Sequence, residues 1–154
     1  MKKFTLLFFV AVTLLSSCAK EKGCVPTDPS TEKSAMVAFC TANNITYTEH
    51  PSGILYQITD AGAGVNPSVS SKVFMAYTGK YLNGTTFETQ INPSATGWTL
   101  GSLIDGWKIG VPLIKKGGKI KLIIPSSLAY SCTGSGSIAP NTPLFFDIWL
   151  TEVL

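Results

Sequence analysis

The 154-residue chain contains no arginine, and its only histidine is His50. Without guanidinium groups it cannot form the bidentate forks that usually grip phosphates and carboxylates. One histidine, with no two cysteines at CxxC spacing, excludes the common zinc arrangements and a thioredoxin-like redox motif. Neither a metal nor a cofactor is expected. Charge is also scarce. Lys2 and Lys3 sit in the leader, and the remainder carries ten lysines against nine acids. No basic stripe points to nucleic acid. No apolar run reaches the roughly 20 residues of a membrane span. Internal repeats and heptads are missing too, so a monomer is the expectation.

The amino terminus carries a targeting pattern. Lys2 and Lys3 precede the apolar run from Phe4 to Leu15, which ends in Leu15-Ser16-Ser17-Cys18. This resembles the lipobox of a bacterial lipoprotein and predicts a signal peptide over 1–17, with lipidation at Cys18. Two or more acyl chains would anchor the protein stably. The expected location is the bacterial cell envelope, with the domain lipid-anchored to a membrane (the outer membrane first) and facing the periplasm or the surface. With Cys18 acylated, Cys24, Cys40 and Cys132 remain. Three thiols allow one intramolecular disulfide, and the pairing stays open.

Residues 18–28 are polar and form a tether. Asp28 or Ser30 is a helix cap and Pro29 suits a first helical position, predicting a helix to Ala42 with Met36, Val37 and Cys40 on one face. Asn43-Asn44 ends it, and 29–51 becomes a helical appendage. Strand patterns then follow. Ile54–Thr59 precedes a Gly-rich turn. Val73–Tyr81 alternates, with Val73, Met75 and Tyr77 on one face, and Asn83-Gly84 is a hairpin turn leading back through Thr85–Glu88. Lys119–Ile124 and Pro143–Val153 also alternate. Between them, Ile104, Trp107 and Val111 have helical spacing until Pro112 interrupts. The fold class is α+β: a curved antiparallel β-sheet wrapped around a short α-helix, with one sheet face to cover. The stretch from Leu100 to Tyr130 lies at its centre. It has no His, Cys or pair of carboxylates for acid–base or nucleophilic chemistry, but it does supply apolar surface for a pocket.

Val73-Phe-Met-Ala-Tyr77-Thr-Gly79 and Asn83-Gly84-Thr-Thr-Phe87-Glu88 resemble the first signature of the FKBP-type peptidyl-prolyl cis–trans isomerases. Trp98-Thr-Leu100, Leu103-Ile104-Asp-Gly106-Trp107, Gly110, Gly117, Pro125 and Ala129-Tyr130 resemble the second. Ile138-Ala-Pro140 and Leu144-Phe-Phe146-Asp147 resemble its close. The ordered match covers 52–154, which becomes the expected isomerase domain. The resemblance implies a proline pocket with Trp107 as floor. Tyr77, Phe87, Trp98 and Phe146 would be walls, and Leu103, Ile104 and Ile138 aliphatic wall and rim. The Tyr130 hydroxyl and the Ile104 N–H would bind substrate carbonyls, with Glu88 where the family usually has Asp. It further implies proline-containing polypeptides as substrates and macrolides as ligands.

Other departures from the family pattern are Trp98 for the usual Phe, Leu128 for a Tyr, Ser131 for a Gly, and the missing arginine partner of the acid. These changes keep the apolar pocket and bear on activity and macrolide affinity. The implied reaction needs no nucleophile: an X–Pro bond twists more easily in an apolar pocket that strips water from the planar amide. The alternative reading is a binding or chaperone module of the same fold, on a membrane-anchored lipoprotein, that holds proline segments without catalysis.

Overall fold

The computed structural model describes residues 23–154. The predicted leader and the lipidation site Cys18 lie outside the described residues. Helix α1 (Pro29–Ala42) starts as its residues dictate. The Asp28 carboxylate accepts from the Ser30 N–H, Pro29 occupies the first turn, and Asn43 closes the end.

The strands are β1 (Thr48–Glu49), β2 (Leu55–Asp60), β3 (Lys72–Tyr81), β4 (Thr86–Gln90), β5 (Trp98–Thr99), β6 (Lys119–Ile124) and β7 (Leu144–Val153). They form one antiparallel sheet in the order β1-β2-β6-β7-β3-β4, with β5 paired to β3. Short helix α2 (Asp105–Gly110) lies across its concave face. This is the predicted architecture; β1 and β5, two residues each, are too short to leave a period in the sequence.

The core on the α2 side is the alternating inward set: Val73, Met75 and Tyr77 of β3, Ile120, Leu122 and Ile124 of β6, and Leu144, Phe146, Ile148 and Leu150 of β7. Each fully buried aliphatic side chain contributes about 1.5–3 kcal/mol. Helix α2 approaches β6 closely through two glycines one turn apart. A Cβ on Gly106 would stand 2.4 Å from the Ile124 side chain, and one on Gly110 would stand 2.6 Å from Leu122. With no side chain on that stripe, the helix packs directly on the strand and its Trp107 is aimed along the sheet rather than lifted off it.

The expectation of one face to cover is corrected by α1, which packs on the other face. Met36, Phe39 and Cys40 meet Leu55, Ile123 and Phe145, a row set by the register Leu55↔Ile123↔Phe145. Both faces of β6 and β7 are therefore buried here, which is why Ile123-Ile124 and Phe145-Phe146 are adjacent apolar pairs. Phe39 joins the buried face of α1, while Val37 is only half-buried. The α1 carboxylate Glu32 is buried and accepts from the Ser126 N–H at 2.7 Å, tying the helix to the loop that leads to Tyr130.

A disulfide joins Cys24 to Cys132, with Cα atoms 5.4 Å apart, and leaves Cys40 as a buried thiol. Which two of three cysteines pair is decided by the loop after Tyr130 meeting the segment before α1, and no local sequence feature records that meeting.

Candidate functional site

Four aromatic side chains from different elements meet over the concave face. Tyr77 comes from β3, Trp98 from β5, Trp107 from α2 and Phe146 from β7. The rings of Tyr77 and Trp107 are 5.0 Å apart and nearly perpendicular (82°), and those of Trp107 and Phe146 are 5.2 Å apart at 86°. Tyr77 also faces Phe146 at 6.3 Å and Trp98 at 6.2 Å. Edge-to-face rings of this kind hold one another in place, each pair contributing about 0.5–1.5 kcal/mol beyond its buried area.

They border an open cavity of about 360 Å³, lined by Tyr77, Glu88, Trp98, Ser102, Leu103, Ile104, Trp107, Tyr130 and Phe146. Eight of the ten pocket residues expected from the sequence thus come together. Phe87 and Ile138 do not reach the lining. Phe87 stands behind Phe146, edge-on at 5.7 Å, and against Tyr81 at 5.1 Å. Ile138 is buried in the same core, in the loop where Ser135 and Ile138 bond to each other. Both back the wall rather than form it. Ser102 joins the lining without a sequence signal. It sits in the short turn between β5 and α2, and its hydroxyl donates to the Thr99 carbonyl at 2.7 Å, so it carries no pattern a sequence reading would catch.

The polar groups are few. Ile104 caps α2: its carbonyl accepts from the Trp107 and Lys108 N–H groups, while its own N–H makes no hydrogen bond among the described residues. Likewise, the Tyr130 hydroxyl has no partner there, although the Tyr130 carbonyl accepts from the Gly134 N–H and the Thr133 hydroxyl. The Trp107 indole N–H is buried and unpartnered. Buried unpaired donors are costly, about 1–3 kcal/mol each, and few in folded proteins; the Ser126 and Ser127 hydroxyls, outside the cup, are also buried without a partner.

Burial pushes the Tyr77 phenol well above its ordinary pKa, and the nearby Glu88 carboxylate adds to the shift. Burial first, and Glu88 second, push the Tyr130 phenol up as well. Both hydroxyls therefore stay protonated across neutral and mildly alkaline pH.

Tyr130 is held by its loop. Ser131 adopts a left-handed conformation, φ 52°, at the position where the family usually carries glycine. Its carbonyl accepts from the Asn141 N–H, and Cys132, next along, carries the disulfide to Cys24.

A sequence model of the FKBP-type peptidyl-prolyl cis–trans isomerase family matches residues 64–151. FkpA of Escherichia coli K12, an FKBP-type peptidyl-prolyl cis–trans isomerase, is 40% identical over 102 residues, 66% of this chain and 38% of that relative. The chain thus spans well under half the length of that curated relative. The crystal structure of E. coli FkpA superposes with a TM-score of 0.69 at 34% identity, covering 80% of this chain and 58% of that one. A peptidyl-prolyl cis–trans isomerase from Pseudomonas syringae pv. tomato gives 0.68 at 30% identity, covering 84% of this chain and 98% of that one. The family pattern takes in more than half of the sequence, and the sheet and the short helix agree with it: the chain belongs to the FKBP-type peptidyl-prolyl cis–trans isomerases.

Proposed function

We propose that this protein accelerates rotation about X–Pro peptide bonds in exported polypeptides by taking the prolyl ring into the cup over Trp107. The observation that carries the reading is the open aromatic cavity of about 360 Å³ walled by Tyr77, Trp98, Trp107 and Phe146, with two idle donors, the Tyr130 hydroxyl and the Ile104 N–H, at its edge. An X–Pro bond isomerises in tens to hundreds of seconds because resonance holds the amide planar. The planar amide is the more polar form and is the better solvated by water. Transfer into an apolar cup removes that solvation, so the twisted amide is bound more strongly than the planar one and the barrier falls. The Tyr130 hydroxyl and the Ile104 N–H donate to flanking carbonyls and hold the chain in register, while Trp107 supports the ring from below. Phe87 and Ile138 act from behind the lining by fixing Phe146 and the loop. No covalent intermediate is involved.

In the same reading, residues 1–17 are a lipoprotein leader, Cys18 carries the lipid and 18–28 is the tether. Residues 29–51 are the helical appendage and 52–154 the isomerase domain. The Cys24–Cys132 disulfide supports an oxidising, extracytoplasmic setting. Loss of labelled palmitate from the Cys18→Ser protein, with label retained by the parent, is the expected result for the anchor.

The test of the chemistry is cis-to-trans conversion of a short X–Pro peptide by the Cys18→Ser protein. A rate above the uncatalysed one, reduced in Trp107→Leu, is expected. A folded protein that binds the peptide without accelerating it would leave a holding module instead.

A further inference from the structure

We propose that Glu88 makes this pocket select proline segments that carry a basic residue beside the proline. The inference rests on the proline-binding reading above and adds the substrate class.

Glu88 is the only charged residue in the lining of the cup. Its place follows from the ladder: Leu122, Phe146, Gly79 and Glu88 lie side by side on β6, β7, β3 and β4. Gly79 has no side chain, and the Phe87 ring fills the space over it against Phe146, so the acid stands beside these rings at the outer end of the row. The carboxylate is exposed at the lip rather than sunk in the wall.

Among the described residues no lysine pairs with it. The ion pairs among the described residues are Lys33–Glu49, Lys108–Asp105 and Lys116–Glu152. The nearest ladder lysine, Lys80, lines the groove on the opposite face of the sheet with Lys119 and Lys121. The chain has no arginine to supply a partner from elsewhere. The negative field of Glu88 already acts inside the cup, since it helps to hold two phenols protonated.

When a prolyl ring fills the apolar floor, its neighbouring side chains must lie across the lip. A lysine or arginine there meets an exposed carboxylate that has no cationic partner among the described residues, while an aspartate or glutamate meets like charge. An exposed pair of this kind is expected to give about a three- to fivefold preference. Being exposed, it should fade with salt.

The experiment uses the Cys18→Ser protein and two peptide sets, with lysine, norleucine or glutamate placed before or after the proline. The readout is the ratio of kcat/KM for the lysine peptide to that for the norleucine peptide, in which any general change in activity cancels. The expected ratio is about three to five at low ionic strength in at least one set, with glutamate below norleucine. It should approach one near ~0.5 M salt, where the Debye length is about 4 Å, and in Glu88→Gln at any salt. Equal rates for lysine and norleucine in both sets, or a preference that survives both salt and Glu88→Gln, would overturn the inference. Should Glu88→Gln turn over none of the peptides, the salt series on the parent decides alone. Should the parent itself isomerise none, the isomerase reading fails. Peptide affinities followed by tryptophan fluorescence then decide the selection separately, with the same ratios required.

Discussion

The two faces of this sheet use the same material to opposite ends. On one face, Phe39 of α1 lies against Phe145 of β7 with ring centroids 5.1 Å apart, and the helix covers both rings, leaving a groove beside it toward Lys80, Lys119 and Trp149. On the other, Phe146, the next residue along β7, meets Tyr77 and Trp107 at similar distances and leaves a cavity. The covering elements explain the difference. Helix α1 has 14 residues and lays three apolar side chains along the sheet. Helix α2 has six, and two of its inward positions are glycine, so it seals only the part of the sheet beneath it. The rings beyond its reach remain open on one side. An aromatic borders the cup here because the cover is too short to finish the core.

That contrast can be broken from either side. The largest effect is expected from Phe39→Ala, which empties part of the covered face. Unfolding in denaturant should show a loss of about 3–5 kcal/mol, while kcat/KM of the protein that remains folded stays at the parental value. Next comes removal of the Cys24–Cys132 bond by replacing both cysteines with serine. The bond closes a separation of 108 residues, and its loss should lower stability by about 2–4 kcal/mol, read as a drop in the denaturation midpoint. Trp107→Leu should act the other way round from Phe39→Ala. Isomerisation of an X–Pro peptide should fall by about tenfold or more, equivalent to ~1.4 kcal/mol in the barrier, with a smaller stability loss than Phe39→Ala. If Trp107→Leu proved the more destabilising and left the rate unchanged, the two faces would not differ as described. The smallest effect is expected from Ser131→Gly. Removing the Cβ at φ 52° should stabilise the protein by about 0.5–1 kcal/mol, visible as a rise in Tm.

Much of this was legible beforehand, because the signals were local. The cap Asp28-Pro29 marks the start of α1, Asn83-Gly84 marks the β3–β4 hairpin, and the alternation in β3, β6 and β7 assigns the concave face. Tyr77, Trp98, Trp107, Tyr130 and Phe146 converge as the family resemblance implies. Phe87 looked equivalent to Phe146 in that pattern, yet it stands one ring further back. Its ring instead fills the space over Gly79, beside the irregularity in the β3–β4 register that leaves Glu88 in the lining, and no spacing along the chain encodes that.

The sequence by itself determined the elements, the inward set of each strand and the aromatic character of the site, since these depend on neighbours within a few positions. Tertiary structure alone decided which cysteines pair, that α1 covers part of the far face, and which aromatics line the cup. Those outcomes depend on contacts between residues as distant as Cys24 and Cys132 or Phe39 and Phe145, and on the length of the helix laid over each face.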